Sequence, residues 1–353
     1  MAKVTLKDIA EKAGVSVSAV SLALGGKGSI SKRQRERIHE IADELGYVPN
    51  PLLSSLAAKR FRSGGYATGI PIALLEYSME NVRPSIYRSE IIRVAKQLGY
   101  QVRLITKEEL KEYNDLSKTL YRSGVQGVIV TGQPCDEFVN RSEAWEHFSL
   151  VQCGRLRTTA PIHTVRSDIF RSIKLVYSKL LEKGYQRIGF AMGRHPDILE
   201  DDEARIGAAL GLMQLHAKPQ NIIQPYSGQH ADETRFKTWV DKEQPDVIIG
   251  FGISQYYNLL KFGYSIPKDF GFASLHLHLH DRENQPITFA GLLQNTNKIA
   301  EQSVVLLDQL IRYNSRGFPD IPQHTLIPSS WVEGDTLCTI NQPEMTRTEK
   351  VKN

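Results

Sequence analysis

The sequence predicts a small all-α head followed by an α/β body. Three observations carry that reading. Near the start, apolar residues recur at helical spacing in three short groups, each bounded by a capping residue or a glycine. From residue 69 onward, apolar runs of strand length alternate with amphipathic helical patterns, the signature of parallel sheets covered by helices. Positive charge is concentrated at the N-terminal end. A chain of 353 residues is also long enough for two or three domains.

The head is read first. Thr5 caps a first helix, Asp8 in its first turn favours the positive end of the helix dipole, and Leu6, Ile9, Ala10 and Ala13 form its apolar face. Gly14 closes that helix as a residue able to take positive φ. Ser16 caps a second helix over 17–24, carrying Val17, Val20, Leu22, Ala23 and Leu24. Two short helices joined by a tight glycine turn form a helix-turn-helix, which sets its second helix into the major groove of DNA. The loop Gly25-Gly26-Lys27-Gly28 offers Lys27 to a phosphate, and Ser29 follows it. Ser31 caps a third helix with Gln34 in capping-box position, Ile38, Ile41, Ala42 and Leu45 make its stripe, and Gly46 ends it.

Residues 1–49 are thus expected to be a DNA-binding domain. Val48-Pro49-Asn50-Pro51 then stops the helix, and Asn50 can cap a new one with Pro51 in its first turn. The segment Leu52–Lys59 is only about two turns, too short to be stable alone. Residues 50–65 are expected to be a hinge and basic linker.

Charge supports a polyanion partner. The chain carries a net +5, and residues 1–62 hold eleven Lys/Arg against six Asp/Glu, a surplus that accounts for all of it. The other 291 residues hold 33 of each sign. A neutral body with a basic head suits binding to phosphates. Three scattered cysteines, Cys135, Cys153 and Cys338, build neither a disulfide framework nor a zinc site and fit a reducing cytoplasm. The N-terminus has no apolar signal region, and no apolar run is long enough to span a membrane, so export and membrane insertion are not expected.

In the body, strands are expected over 69–75, 101–105, 127–131, 149–153, 186–191, 245–250 and 270–275. Helices are expected over 86–98, 110–122, 169–183, 203–215, 254–262 and 297–313. These are too many units for one sheet. The polar end of the chain, 341–353, is expected to be a disordered tail.

The order of helix-turn-helix, capped third helix, Tyr47-Val48-Pro49-Asn50 and a short Leu/Ala-rich segment resembles the lactose-repressor/galactose-repressor family of bacterial transcriptional regulators. The resemblance is nearly gap-free over residues 4–60 and looser from 63 to 340. It implies two Rossmann-like lobes of periplasmic-binding-protein type over 66–340, crossed by the chain near 163–166, 290–293 and 328–332. It implies a homodimer on double-stranded operator DNA, and a small-molecule effector, a sugar or derivative, in the cleft between the lobes.

The resemblance places base and backbone contacts at Thr5, Leu6, Ser16, Val17, Ser18, Ser21, Leu22, Lys27, Ser29 and Ser31. It places hinge contacts at Asn50, Ser54, Leu56, Ala57 and Lys59, with Leu56 matching the leucine wedged between base pairs in the minor groove. Leu22 cannot make a bidentate contact to guanine, and Ser18 discriminates little between base edges. Specificity is therefore expected to lean on DNA deformability and the hinge kink.

For the effector the resemblance points to Asp168 and Arg205, the latter a planar donor fork suited to a hydroxyl or carboxylate. Glu76, Tyr77 and Thr131 are placed along the near lobe by register, and Gly252 and His276 stand at family positions. Three departures weaken a sugar reading: Gly252-Ile253 in place of Asn-Asp, His276-Leu277 in place of an Asp pair, and Glu333 in place of an arginine. A solute-binding protein, or a regulator with no small-molecule effector, therefore remains an alternative. His276, His278 and His280 alternate and would share a strand face, but a solvated edge explains them more simply than zinc. Gly250-Phe251-Gly252 lacks the third glycine of a dinucleotide fingerprint, since Gln255 stands there. No metal or cofactor is expected. No catalytic constellation is visible, so an enzyme is not expected either.

Overall fold

The computed structural model describes residues 6–24, 31–45, 69–77, 85–106, 109, 116–132, 143–154, 161–193, 200–226, 228–229, 232–278 and 287–340. In the head, α1 is Leu6–Ala13, α2 Val17–Leu24 and α3 Lys32–Glu44. The capping residues explain the bounds. Gly14 turns the chain at φ +68°, and the Val15 amide returns to the Ala10 carbonyl at 3.1 Å. Ser16 Oγ accepts the Ala19 amide at 3.1 Å, and Ser31 Oγ accepts the Gln34 amide at 3.3 Å. Ile9, Ala10, Ala13, Val20, Ala23, Ile38, Ile41 and Ala42 bury one another, the small alanines letting three short helices approach closely.

The body is built on two sheets. The first contains β1 (Ile70–Tyr77), β2 (Tyr100–Thr106), β3 (Gly127–Gly132), β4 (Ser149–Cys153), β5 (His163–Ser167) and β10 (His324–Ile327). Its order is β10-β5-β4-β3-β1-β2, and every pairing is parallel. The second contains β6 (Ile188–Ala191), β7 (Val247–Gly250), β8 (Gly271–Leu277), β9 (Gly291–Leu293) and β11 (Ser330–Val332). Its order is β11-β9-β8-β7-β6, with only β11 antiparallel.

Helices cover both faces of each sheet, which is why the strands read as unbroken apolar runs. Along β1, Ile72 and Leu74 pack with α4 (Arg88–Gln97) and α10 (Thr296–Arg312). Ala73 and Leu75 turn to the other face, toward Leu120 of α5 (Leu116–Arg122) and Trp145 and Phe148 around a 3-10 turn. In the second sheet, Phe190, Ile249 and Leu275 meet α6 (Ile169–Glu182) and α7 (Glu200–His216). Ile248 and Phe272 meet α8 (Glu233–Glu243) and α9 (Ile253–Lys261).

The chain changes sheets three times. It leaves β5 at Ser167 for α6, whose buried face belongs to the second sheet, returns after β9 through Gln294-Asn295 into α10, and leaves β10 through Pro328-Ser329 into β11. The crossings are tied together. Ser167 Oγ donates to Gln294 Oε1 at 3.0 Å, the Asp168 amide to the Ile327 carbonyl at 2.9 Å, and Asn295 Nδ2 to the Pro328 carbonyl at 2.7 Å. Ser172 and Ser329 hydroxyls meet at 3.0 Å.

Among the described strands and α-helices, five were not foreseen from the sequence. The strands β5, β9, β10 and β11 are only three to five residues long, and α8 buries only Phe236 and Val240. The helix expected from 110 is described only from Leu116.

Candidate nucleic-acid interface and inter-lobe site

In the head, the side chains at the start of α2 face water: Ser16 is exposed and Val17 keeps 44% of its surface. The far side of α2 is the mini-core, with Val20 and Ala23 fully buried. The helix thus has one face committed to the fold and one free for a partner. Arg33 and Arg37 are exposed on α3, while Lys12 of α1 pairs with Glu44 of α3 at 2.9 Å. Leu6, Ser18, Ser21 and Leu22 lie within α1 and α2 by backbone, their side chains being outside the described residues. Thr5, Lys27, Ser29, Asn50, Ser54, Leu56, Ala57 and Lys59 fall outside the described residues altogether.

The body brings its candidates to one level of the fold. β5, β9 and β10 all end at crossings, so the carboxyl edges of both sheets face the boundary between the lobes. Ligands of open α/β sheets sit in crevices outside such edges. On the first edge, Glu76 is aligned with Thr131 across the β1–β3 pair. Glu76 is only 3% exposed: it pairs with the Arg88 guanidinium, whose Nε donates to Oε1 at 3.2 Å, and accepts the Ser85 amide at 2.8 Å. Thr131 is fully buried, its Oγ1 3.5 Å from the Leu75 carbonyl. Tyr77 closes β1, its side chain outside the described residues. Next to Thr131 in register, burial pushes the Cys153 thiol up to about 12 and keeps it neutral.

On the second edge, Arg205 is 3% exposed on α7 and pairs with Asp202 one turn earlier. Its guanidinium carbon also lies 4.9 Å from the centroid of the Phe251 ring, which stacks on His276 at 4.4 Å. This is a buried ion pair with an aromatic neighbour, not a surface pair. Gly252 begins α9 with extended backbone and no side-chain cap. Gln255, in the place of a fingerprint glycine, accepts the Phe251 amide at 2.6 Å and donates to the Ala191 carbonyl at 2.7 Å. That side chain braces the β6 and β7 ends, where a phosphate-binding loop would need open backbone.

At the first crossing, Asp168 is the N-cap of α6. Its Oδ1 accepts the Arg171 amide at 3.0 Å and its Oδ2 lies 3.5 Å from Arg171 Nε. The residue proposed for an effector is therefore already engaged in starting a helix. Beside it, Arg166 reaches out of β5 to α7: Nη2 donates to Glu200 Oε1 at 2.9 Å and Nη1 to Asp201 Oδ1 at 3.3 Å. Glu333 pairs with Lys183 at 2.8 Å, and its carboxyl is held below the usual range by that lysine and by the Trp331 indole. It anchors the chain after β11 to the end of α6.

His276 lies within β8 and His278 just beyond it, and the described residues hold no group of three or more side chains suited to a metal. His280 is outside them. No helix of the described residues is long and apolar enough to cross a membrane. Phe251, Asp202, Arg88 and Arg166 were missed from sequence. The Asp202–Arg205 spacing of three, which places both on one helix face, was the available signal.

Comparison with known proteins agrees with this architecture. Residues 5–50 match the family model for bacterial regulatory proteins, lacI family. The maltose regulon regulatory protein MalI of Escherichia coli K12 is 29% identical over 200 residues, 54% of each chain. Catabolite control protein A of Streptococcus mutans is 27% identical over 192 residues, 54% of this chain and 55% of that one. The chain spans about half the length of these curated relatives. Among solved structures, the lac repressor dimer bound to operator and the anti-inducer ONPF superposes with a TM-score of 0.58 at 20% identity. It covers 96% of this chain and all of that one. A periplasmic binding protein/LacI transcriptional regulator from Alkaliphilus metalliredigens, complexed with D-xylulofuranose, matches 77% of this chain at 23% identity and a TM-score of 0.56. The body therefore has the two-lobed fold shared by periplasmic binding proteins and such regulators. These two relatives are named as a regulatory protein and a control protein. Over residues 5–50 the chain is similar to the lacI family of bacterial regulatory proteins, and over nearly its whole length it shares the fold of the lac repressor.

Proposed function

We propose that the protein is a sequence-specific transcriptional regulator, a repressor, that binds operator DNA in the cytoplasm as a homodimer. The observation that carries this is the three-helix head: α2 buries Val20 and Ala23 and leaves Ser16 and Val17 facing water, on the segment that holds the chain's whole charge surplus. In this reading α2 enters the major groove, with Thr5, Leu6, Ser16, Val17, Ser18, Ser21, Leu22, Lys27, Ser29 and Ser31 at the DNA. Residues 50–65 form the hinge, where Asn50, Ser54, Leu56, Ala57 and Lys59 meet the minor groove and Leu56 opens a base step. Lobe closure in 66–340 sets the spacing of two hinges and so controls operator affinity.

The test is selection of DNA sites from a random pool by the full chain, followed by gel shifts. Recovery of a near-palindrome with a flexible central step is expected, together with loss of affinity on Leu56→Ala. Failure to enrich any sequence at physiological salt would refute the reading.

The cleft favours a second reading within the first, a regulator that works without a small molecule. Glu76 is matched by Arg88, Asp168 by Arg171, and Arg205 by Asp202. A sugar site needs polar side chains aimed at the ligand, and these are aimed at one another. Thermal-shift screening of sugars and sugar phosphates distinguishes the two: a saturable stabilisation lost on Phe251→Ala supports an effector in the cleft.

A further inference from the structure

Arg166 belongs to one lobe and its partners to the other. It lies on β5, which pairs in parallel with β4 and β10 of the first sheet. Glu200 and Asp201 open α7, whose buried face packs on the second sheet. The contact therefore bridges the cleft, whereas the Ser167–Gln294 and Ser172–Ser329 bonds lie at the crossings themselves. It is also partly withdrawn from water. The Arg166 side chain is 16% exposed and Asp201 9%, while Glu200, at 52%, forms the solvent-facing arm.

The first turn of α7 concentrates four carboxylates: Glu200, Asp201, Asp202 and Glu203. Helix dipoles favour acids at this end, but neighbouring acids repel one another. Arg205 answers Asp202 from within the helix; Arg166 answers Glu200 and Asp201 from across the boundary. Separating the lobes would strip two carboxylates of this cation. Removing Arg166 while the lobes stay together would leave the shielded Asp201 carboxylate without this cation, which favours opening.

We propose that Arg166, with Glu200 and Asp201, is a latch that holds the two lobes closed in the ligand-free protein. Closure, the variable that sets hinge spacing in the regulator reading, is then a built-in state rather than one that waits for a small molecule. Anything that opens the cleft must break this ion pair. The latch itself concerns only the body; its effect on DNA rests on the regulator reading.

The experiment uses the full chain in three forms: wild type, Arg166→Ala, and the charge exchange Arg166→Glu with Glu200→Arg and Asp201→Arg. Circular dichroism first establishes that each is folded. Small-angle scattering then reports lobe separation, and gel shifts on a site selected by the wild type report operator affinity. Arg166→Ala should broaden the scattering distance distribution and change operator affinity about tenfold, and the charge exchange should restore both toward wild type. An Arg166→Ala protein that is folded and scatters as the wild type does would overturn the latch. So would a charge exchange that restores nothing while remaining folded. If Arg166→Ala does not fold, Arg166→Gln takes its place, judged by the same two outcomes. A wild type that selects no DNA site would sink the regulator reading alone, because scattering still judges the latch.

Discussion

Arg205 and Phe251 come from different elements of the second lobe, yet the guanidinium carbon of one lies 4.9 Å from the ring centroid of the other. The same arginine pairs with Asp202, and both side chains are almost wholly buried, 4% and 3% exposed. Removing one partner of a buried pair leaves the other charge in a poor dielectric. Arg205→Ala should therefore destabilise the body by about 3–5 kcal/mol. Adding Asp202→Ala should recover part of that loss. Urea unfolding followed by fluorescence reads both; a single variant as stable as wild type would show that the pair contributes nothing.

The head should respond to its own core independently of the body. Ile38 is 1% exposed at the centre of the three-helix cluster. Truncation to alanine removes about 2–5 kcal/mol from a small three-helix domain. Ile38→Ala should abolish sequence-specific DNA binding at 37 °C while leaving the body's melting transition in place. A gel shift at wild-type strength would contradict this.

Gly291 joins β9 to β8 where the register shifts, at φ +147°. A β-carbon there would sit 2.1 Å from the Ser274 carbonyl oxygen, which is backbone and cannot swing aside. Gly291→Ala must strain the chain and push β9 from β8, at a cost of about 1–3 kcal/mol or more. The fall in melting temperature should exceed that of Gly207→Ala, where the added carbon meets open space in mid-helix.

Glu333 has a carboxyl lowered by the hydrogen bond from Lys183 and then by Trp331. A lowered folded pKa means the interaction is fully present above the ordinary glutamate pKa, roughly 4.3, and fades as pH falls through the lower folded value. The Glu333 carboxylate is largely exposed, so the pair's share of stability is under about 1 kcal/mol. Melting curves between pH 3 and 6 should show Glu333→Gln and wild type converging at the acid end and separating as pH rises. Parallel curves would assign the pair no part in stability.

The places where sequence reading failed have a common physical origin. A strand such as Ser330–Val332 exists only because β9 offers it an edge, and its three residues hold no pattern of their own. The α8 helix carries Asp232 as its cap, accepting the Arg235 amide at 3.0 Å, but its surface is mostly charged, so its period is faint. Asp168 was legible as a residue of interest at the crossing. Its duty as the cap of α6 was hidden, because the same aspartate serves a helix or a ligand equally well in sequence.

What the sequence determined by itself was everything set within a few residues. That includes the Ser16 and Ser31 caps and the Gly14 turn of the head, the strand-helix alternation, and the basic N-terminal charge, since capping, periodicity and charge act over a turn or two of chain. The tertiary structure alone decided which strands share a sheet and which charges meet. The chain comes back from the second lobe to lay His324–Ile327 beside β5, and the Gln323 amide donates to His163 Nδ1 at 3.0 Å across 160 residues of sequence. Arg166 finds Glu200 and Asp201 in the same way. Such contacts depend on how two lobes close on each other, and no local pattern encodes that.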